Sequence, residues 1–184
     1  MRVIAGSAKG RPLRAAGAAT RPITDRVKEN LFNILGARIV AANVLDLFAG
    51  AGSVGIEALS RGARAATFVE VDRAALNAIH TNLHATRLAE RARVVRRDVF
   101  KFLRDAAEPY DVIYVAPPQY RGLWAETLLL LDQGAWLAER GVVVVQIHPK
   151  EYKELALTQL ELFDQRKYGS TLLCFYRLRK VASG

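Results

Sequence analysis

One cysteine, Cys174, is present in 184 residues. No disulfide can form within the chain, which excludes a small oxidised scaffold. Cys174 sits in the apolar run TLLCFY and reads as a buried strand residue. The three histidines do not cluster with it at metal-ligand spacing, so no resident metal is expected. Long hydrophobic runs are lacking as well. The longest, Val142–Val145 with its neighbours, is far too short to span a bilayer, and the first residues hold no apolar core of signal-peptide length. No membrane partner and a cytoplasmic location are therefore expected. There is no internal repeat and no low-complexity tract. Acidic residues are the scarcer charge, 18 against 27 Lys and Arg, giving +9. That excess suggests a polyanionic partner, and nucleic acid is the expected one.

The excess is not spread evenly. Residues 1–38 hold eight Lys or Arg and two acids, so +6 of the +9 lies in the first fifth of the chain. Here RVIAG and RPLRA read as two short strands about a glycine-containing turn, a basic hairpin. Gly17–Thr20 reads as a flexible connection. Thr24 or Asp25 caps a helix to about Gly36, with Val27, Leu31, Ile34 and Leu35 on its apolar stripe and Arg26 and Lys28 off it. Residues 1–40 are expected to form an RNA-facing extension, packed as one unit with a cofactor-binding domain over 41–180.

From residue 44 onward strands and helices alternate. Strands are expected at Val44–Phe48, Ala66–Glu70, Arg93–Arg96, Tyr110–Ala116 and Val142–Ile147. Helices are expected at Ser53–Arg61, Ala74–Thr86, Val99 to about Ala106, Leu123–Leu131 and Lys150–Leu155. Leu157–Tyr168 and Ser170–Leu178 then meet at a tight turn, which only antiparallel strands allow. The expected fold class is α/β: a Rossmann-like, doubly wound, mostly parallel seven-stranded sheet with an antiparallel C-terminal hairpin strand, plus a small N-terminal β-hairpin and helix. A monomer is expected.

The stretch LDLFAGAGSVGIEAL carries most of the functional information. Gly50, Gly52 and Gly55 fit the G-x-G-x-x-G turn between a strand and a helix, by itself a weak signal. Asp46, at the end of the strand, changes its meaning. A carboxylate there repels a pyrophosphate and attracts a cation, which argues against a nicotinamide enzyme. A cofactor with ribose and adenine but no phosphates, carrying an ammonium and a sulfonium, fits: S-adenosylmethionine. Glu70, about 20 residues after the turn, is placed to take both ribose hydroxyls. Asp98 is placed to accept from the adenine amino group or to cap a helix. Val71 and Val99 flank the two acids and could sandwich the adenine, whereas Asp72 reads as a helix cap.

APPQY (Ala116–Tyr120) ends the fourth strand at the same crevice. Pro117 and Pro118 fix φ and remove two donors, leaving the carbonyls of Ala116 and Pro117 as rigid acceptors. Tyr120 offers an aromatic face for a planar base. Acceptors that hold the hydrogens of an exocyclic amine aim its lone pair at a methyl donor, which is what methylating such an amine needs.

The segments MRVIAGSAKGRPLR, RPITDRVKENLFNIL, LDLFAGAGSVGIEALSRGA, VEVD and RRDVFKFL, in that order, resemble the bacterial 16S ribosomal RNA guanine-N2 methyltransferases, a family of class I S-adenosylmethionine-dependent enzymes. The resemblance covers essentially the whole chain, and RPITDRVKENLF is its most specific part. It implies methylation of one guanine amino group in 16S ribosomal RNA, on a partly or fully assembled small subunit. It assigns the cofactor to Asp46, Gly50, Gly52, Glu70 and Asp98, and the amine to Pro117, Pro118 and Tyr120. Arg2, Lys9, Arg11, Arg14, Arg21, Arg26 and Lys28 are the expected phosphate contacts, and the resemblance lays the Arg21–Arg26 region over the cofactor as a partial lid. The usual Asp-Pro-Pro-Tyr or Asp-Pro-Pro-Phe is altered here. Ala116 replaces the aspartate and Gln119 precedes the aromatic residue, so backbone carbonyls, Gln119 or His148 must serve the amine. Two alternatives stay open: an adenine amino-methyltransferase acting on DNA or RNA, and a cofactor- and RNA-binding assembly protein without turnover.

Overall fold

Hydrophobic periodicity decides most of the architecture. Asn43–Leu47 (β1), Ala65–Glu70 (β2), Ala92–Arg96 (β3), Tyr110–Val115 (β4) and Leu137–Ile147 (β5) pair in parallel. Leu160–Tyr168 (β6) and Thr171–Leu178 (β7) form the closing hairpin, with β7 antiparallel to β5. The seven strands run in the order β3-β2-β1-β4-β5-β7-β6, as the expected fold class requires. The structure, a computed structural model, describes residues 1–17 and 22–182. Most of the connection expected at Gly17–Thr20, and Arg21, lie outside the described residues.

Alternation along the strands sends side chains to two separate cores. Val44, Phe68, Tyr114 and Val144 pack beneath Asp25–Leu35 (α1), Ser53–Ser60 (α2) and Arg73–Thr86 (α3). Leu45, Val69, Ile113 and Val145 pack beneath Val99–Phe102 (α4) and Leu123–Gln133 (α5). The middle strands are apolar on both faces because both are covered. No helix among the described residues is long and apolar enough to cross a membrane.

Three expected elements differ. The N-terminal hairpin has a single ladder bridge, Arg2 to Pro12. Val3 N–H to the Arg11 carbonyl and Leu13 N–H to the Met1 carbonyl flank that bridge, and side chains of the helices hold the rest of the segment. The helix expected from Val99 to Ala106 ends at Phe102, because residues 104–109 are exposed and have nothing to pack against. The helix expected at Lys150–Leu155 is a 3-10 turn over Pro149–Glu151, after which Tyr152, Leu155 and Leu157 lie against the second core without helical structure. The expected boundaries of α1 hold, with Thr24 Oγ1 accepting from Val27 N–H and Gly36 stopping the helix at φ 54°.

The N-terminal segment is strapped onto α2. Val3, Ala8 and Leu13 enter the first core. Ser7 N–H donates to the Ser60 carbonyl, and Ala8 N–H donates to Ser60 Oγ. Gly6 makes the close approach possible. It lies at φ +85°, and a Cβ there would fall 1.9 Å from the Ser60 oxygen. Gly6→Ala should therefore cost about 2 kcal/mol or more of stability, read as a lowered thermal unfolding midpoint. An unchanged midpoint would show that the strap can move without loss.

Candidate active site

β1 and β4 are neighbours, yet the chain leaves β1 for β2 on the opposite side. A crevice opens at the carboxyl ends of such a pair. Asp46, Gly50 and Ser53 line it from the first strand–helix unit, Tyr114 from β4, Ala116 from the residue that follows β4, and Gln146 from β5. Met1, Ala16 and Ile23 close it from the N-terminal side. Of the predicted residues, its enclosed part takes in Asp46, Gly50 and Ala116.

In the turn after β1 every second residue is left-handed: Phe48 at φ 59°, Gly50 at 56° and Gly52 at 78°. Nothing lies within 4 Å of the position a Gly50 Cβ would take, so the backbone itself faces open space. Gly55 serves packing, since a Cβ would come 2.3 Å from the Phe68 ring.

Asp46 is buried and accepts from Gly55 N–H at 3.0 Å. Burial pushes its carboxyl up to about 8; the Gly55 bond opposes the shift and the nearby Glu70 charge adds to it. In the free protein near neutral pH the group is thus mostly protonated. A cation placed against it would restore the carboxylate, whereas a pyrophosphate would not. The niche therefore suits a positively charged ligand.

Glu70 ends β2 and organises the loops beside it. Its Oε2 accepts from Gly50 N–H at 2.8 Å, and its Oε1 accepts from Val71 and Asp72 N–H at 2.8 and 2.9 Å. A carboxylate has about four acceptor sites and three are taken, so Oε2 keeps one for a single hydroxyl, not the two that the sequence predicts. Asp72 caps α3 through Ala75 N–H, as the sequence predicts. Asp98 caps α4, its Oδ1 accepting from Lys101 N–H at 3.0 Å. Val71 is 59% exposed and available as a platform. Val99 requires a correction: it is buried in the second core, packed with Val69 and Phe102, and does not present an open face to the crevice. As the first residue of α4 it turns toward the sheet.

After Ala116, Pro117 is buried, and Pro118, Gln119 and Tyr120 are exposed. Tyr120 holds a left-handed backbone at φ 61°. Its N–H donates to Glu151 Oε1 at 2.7 Å, and Glu151 Oε2 accepts from His148 N–H at 3.2 Å. Glu151 thus ties the loop after β4 to the loop after β5. The Tyr120 and His148 rings lie 5.6 Å apart. His148 has a structural task, its Nδ1 accepting from Lys150 N–H at 3.1 Å. In the neutral ring that bond leaves the proton on Nε2.

The basic residues divide. Lys9, Arg11, Arg14 and Arg26 are exposed, and Arg2 is exposed beside Asp25 at 3.1 Å. Arg21 lies outside the described residues. Lys28 is a second correction: it is fully buried and cannot reach a phosphate. Its Nζ donates to the Arg2 carbonyl at 2.6 Å and to Ser53 Oγ at 3.0 Å, and lies 3.5 Å from Glu57 Oε2. Burial lowers the Lys28 pKa, against the pull of Glu57. Glu57 also accepts from Ile4 and Ala5 N–H and from Arg61. Asn82 of α3 adds a second clamp, pairing with both the N–H and the carbonyl of Arg14 and donating to the carbonyl of Ala51 in the glycine turn. The basic segment and the crevice wall are thus one connected structure.

Tyr114 and Gln146 are crevice residues that sequence reasoning missed. Alternation back from Ala116 puts Tyr114 on the same face, and pairing of β4 with β5 brings Gln146 alongside. The first signal was available in the sequence, while the second needed the register.

The family model described as "Conserved hypothetical protein 95" matches residues 1–177. The Ribosomal RNA small subunit methyltransferase D of Escherichia coli (strain K12) is 44% identical over 147 residues, covering 79% of this chain and 74% of that protein. The Haemophilus influenzae protein of the same name is 35% identical over 182 residues, covering 97% and 92%. A solved structure from Thermus thermophilus has a TM-score of 0.83 at 33% identity, covering 97% of this chain and 99% of that one. An RNA methyltransferase from Salinibacter ruber, solved with S-adenosyl-L-homocysteine, shares the fold at a TM-score of 0.67 and 15% identity, covering 89% and 98%. The chain belongs to the family described as Conserved hypothetical protein 95, together with the small-subunit ribosomal RNA methyltransferases D of Escherichia coli and Haemophilus influenzae.

Proposed function

We propose that this protein methylates the N2 amine of a guanine in 16S ribosomal RNA, using S-adenosylmethionine. The observation that supports this reading most is the meeting, in one crevice, of two features. Asp46 is a buried carboxyl with no cationic partner among the described residues, and Ala116 follows β4 directly, in front of two prolines. The named activity of the relatives supports the RNA substrate.

When bound, S-adenosylmethionine supplies an electrophilic methyl group on a sulfonium. The chain's own residues orient and polarise. Asp46 balances the positive charge of the cofactor, Glu70 accepts from one ribose hydroxyl, and Asp98 receives the adenine amine on its outer oxygen. The carbonyls of Ala116 and Pro117 accept the hydrogens of the target amine and turn its lone pair toward the methyl. Tyr120, exposed and held by Glu151, stacks on the base. The proton lost from the methylated amine leaves to water, because such a cation is strongly acidic. Arg2, Lys9, Arg11, Arg14, Arg21 and Arg26, within the 1–40 extension, hold RNA phosphates.

Labelled S-adenosylmethionine should be incubated with small subunits from cells lacking this protein, with naked 16S RNA and with duplex DNA. Label is expected in the subunit or its RNA, recovered by mass spectrometry as N2-methylguanine. Label in adenine, or in DNA alone, would sink the substrate assignment. Tight cofactor binding with no transfer to any of the three would instead favour an assembly role.

A further inference from the structure

The enclosed crevice offers few polar side chains toward a substrate base. Asp46 is engaged by Gly55 and sits where the cofactor's positive charge is expected. Ala116, the last side chain before the prolines, can neither donate nor accept. In the parallel register Asp46 pairs with Tyr114, and Val115 pairs with Val145, so Ala116 and Gln146 lie side by side one step further on. Tyr114, Ala116 and Gln146 all line the crevice.

Gln146 is held. The Tyr114 hydroxyl donates to Gln146 Oε1, and burial keeps that hydroxyl protonated by raising its pKa well above the usual tyrosine value. Its Nε2 has no partner among the described residues, where no buried polar side-chain atom is left unsatisfied. The amide nitrogen is therefore accessible, on a residue that lines the crevice, while its oxygen is engaged by Tyr114.

We propose that Gln146 contacts the substrate base, its side-chain amide donating to the ring nitrogen beside the amine that is methylated. The inference rests on the methyltransferase reading above and adds a specificity contact to it. The chemistry of the base supplies the reason. Guanine N2 carries hydrogens that need acceptors, and its neighbour N3 carries a lone pair that needs a donor. Backbone carbonyls at Ala116 and Pro117 serve the first, and Gln146 Nε2 serves the second. Tyr114 is a positioning residue that fixes which end of the amide faces the base.

The test compares wild type, Gln146→Ala, Gln146→Glu and Tyr114→Phe on small subunits lacking the methyl group, measuring kcat and KM together with calorimetric affinity for S-adenosylhomocysteine. Gln146→Ala should lower kcat/KM about tenfold and leave the affinity for S-adenosylhomocysteine unchanged. Gln146→Glu should lose as much, because it keeps the acceptor for Tyr114 but replaces the donor with a carboxylate that repels N3. Tyr114→Phe should lose less. Once the target is mapped, RNA carrying 3-deazaguanine there should slow wild type as Gln146→Ala does and slow Gln146→Ala no further. A Gln146→Ala enzyme that keeps wild-type kcat/KM overturns the proposal, and so does full activity of Gln146→Glu, which would make the contact an acceptor. A wild type that binds S-adenosylhomocysteine yet methylates no RNA overturns the functional reading, and this proposal with it.

Discussion

Asp46→Asn is expected to abolish tight binding of S-adenosylmethionine while making the free protein more stable above neutral pH. The two effects have one cause. The Asp46 carboxyl is pushed up to about 8 in the folded protein by burial, against about 3.9 for an unfolded chain. Between those values the folded state holds a proton that the unfolded state has released. Stability contributed by this group is therefore complete below pH ~4 and is lost as pH rises toward 8, at ~1.4 kcal/mol per pH unit. Asparagine keeps an oxygen for Gly55 N–H and carries no titratable proton, so the slope disappears. The difference between the wild-type and Asp46→Asn stability curves isolates the group from all other titrations. The same proton should be released when the cationic cofactor binds at pH 7, seen calorimetrically as a dependence of the binding heat on the buffer's ionisation enthalpy. Wild-type affinity in Asp46→Asn, or parallel stability curves for the two proteins, would refute the role of this carboxyl.

Glu57→Ala should be among the most damaging single changes in the chain. Glu57 is fully buried and satisfies the Ile4 and Ala5 N–H groups, the Arg61 guanidinium and the Lys28 ammonium. Truncation leaves a buried lysine without its counter-charge and two backbone donors without acceptors. Removing one partner of such a pair costs about 3–5 kcal/mol, on the order of 10 °C in the midpoint for a chain of this length. Lys28→Met should cost less, since Glu57 keeps three other donors. Lys28→Met should also leave the salt dependence of RNA binding unchanged, whereas Arg11→Ala should reduce it. Thermal unfolding of the two variants, with RNA titrations at several salt concentrations, checks both statements. A midpoint for Glu57→Ala close to wild type would show that the strap is not held by this network.

The alternation of apolar residues makes the parallel sheet legible in the sequence, because buried strands and amphipathic helices differ in period. Strand ends are legible too, which is why Asp46, Gly50 and Ala116 converge as predicted. Errors arise where a side chain's direction depends on a partner far along the chain. Lys28 falls off the apolar stripe of α1 and reads as a surface cation, but Glu57 and Ser53 draw it inward. Val99 sits beside a predicted ligand and reads as an adenine contact, but the short helix it begins turns it into the core.

By itself the sequence determined the class of fold, the glycine turn and the carboxylates at successive strand ends, because each follows from a local period or a local backbone requirement. Tertiary structure alone decided the ionisation of Asp46, the burial of Lys28 and the meeting of Tyr114, Ala116 and Gln146. Those depend on desolvation and on register between strands that are distant in the chain, and neither quantity is written in any local stretch of residues.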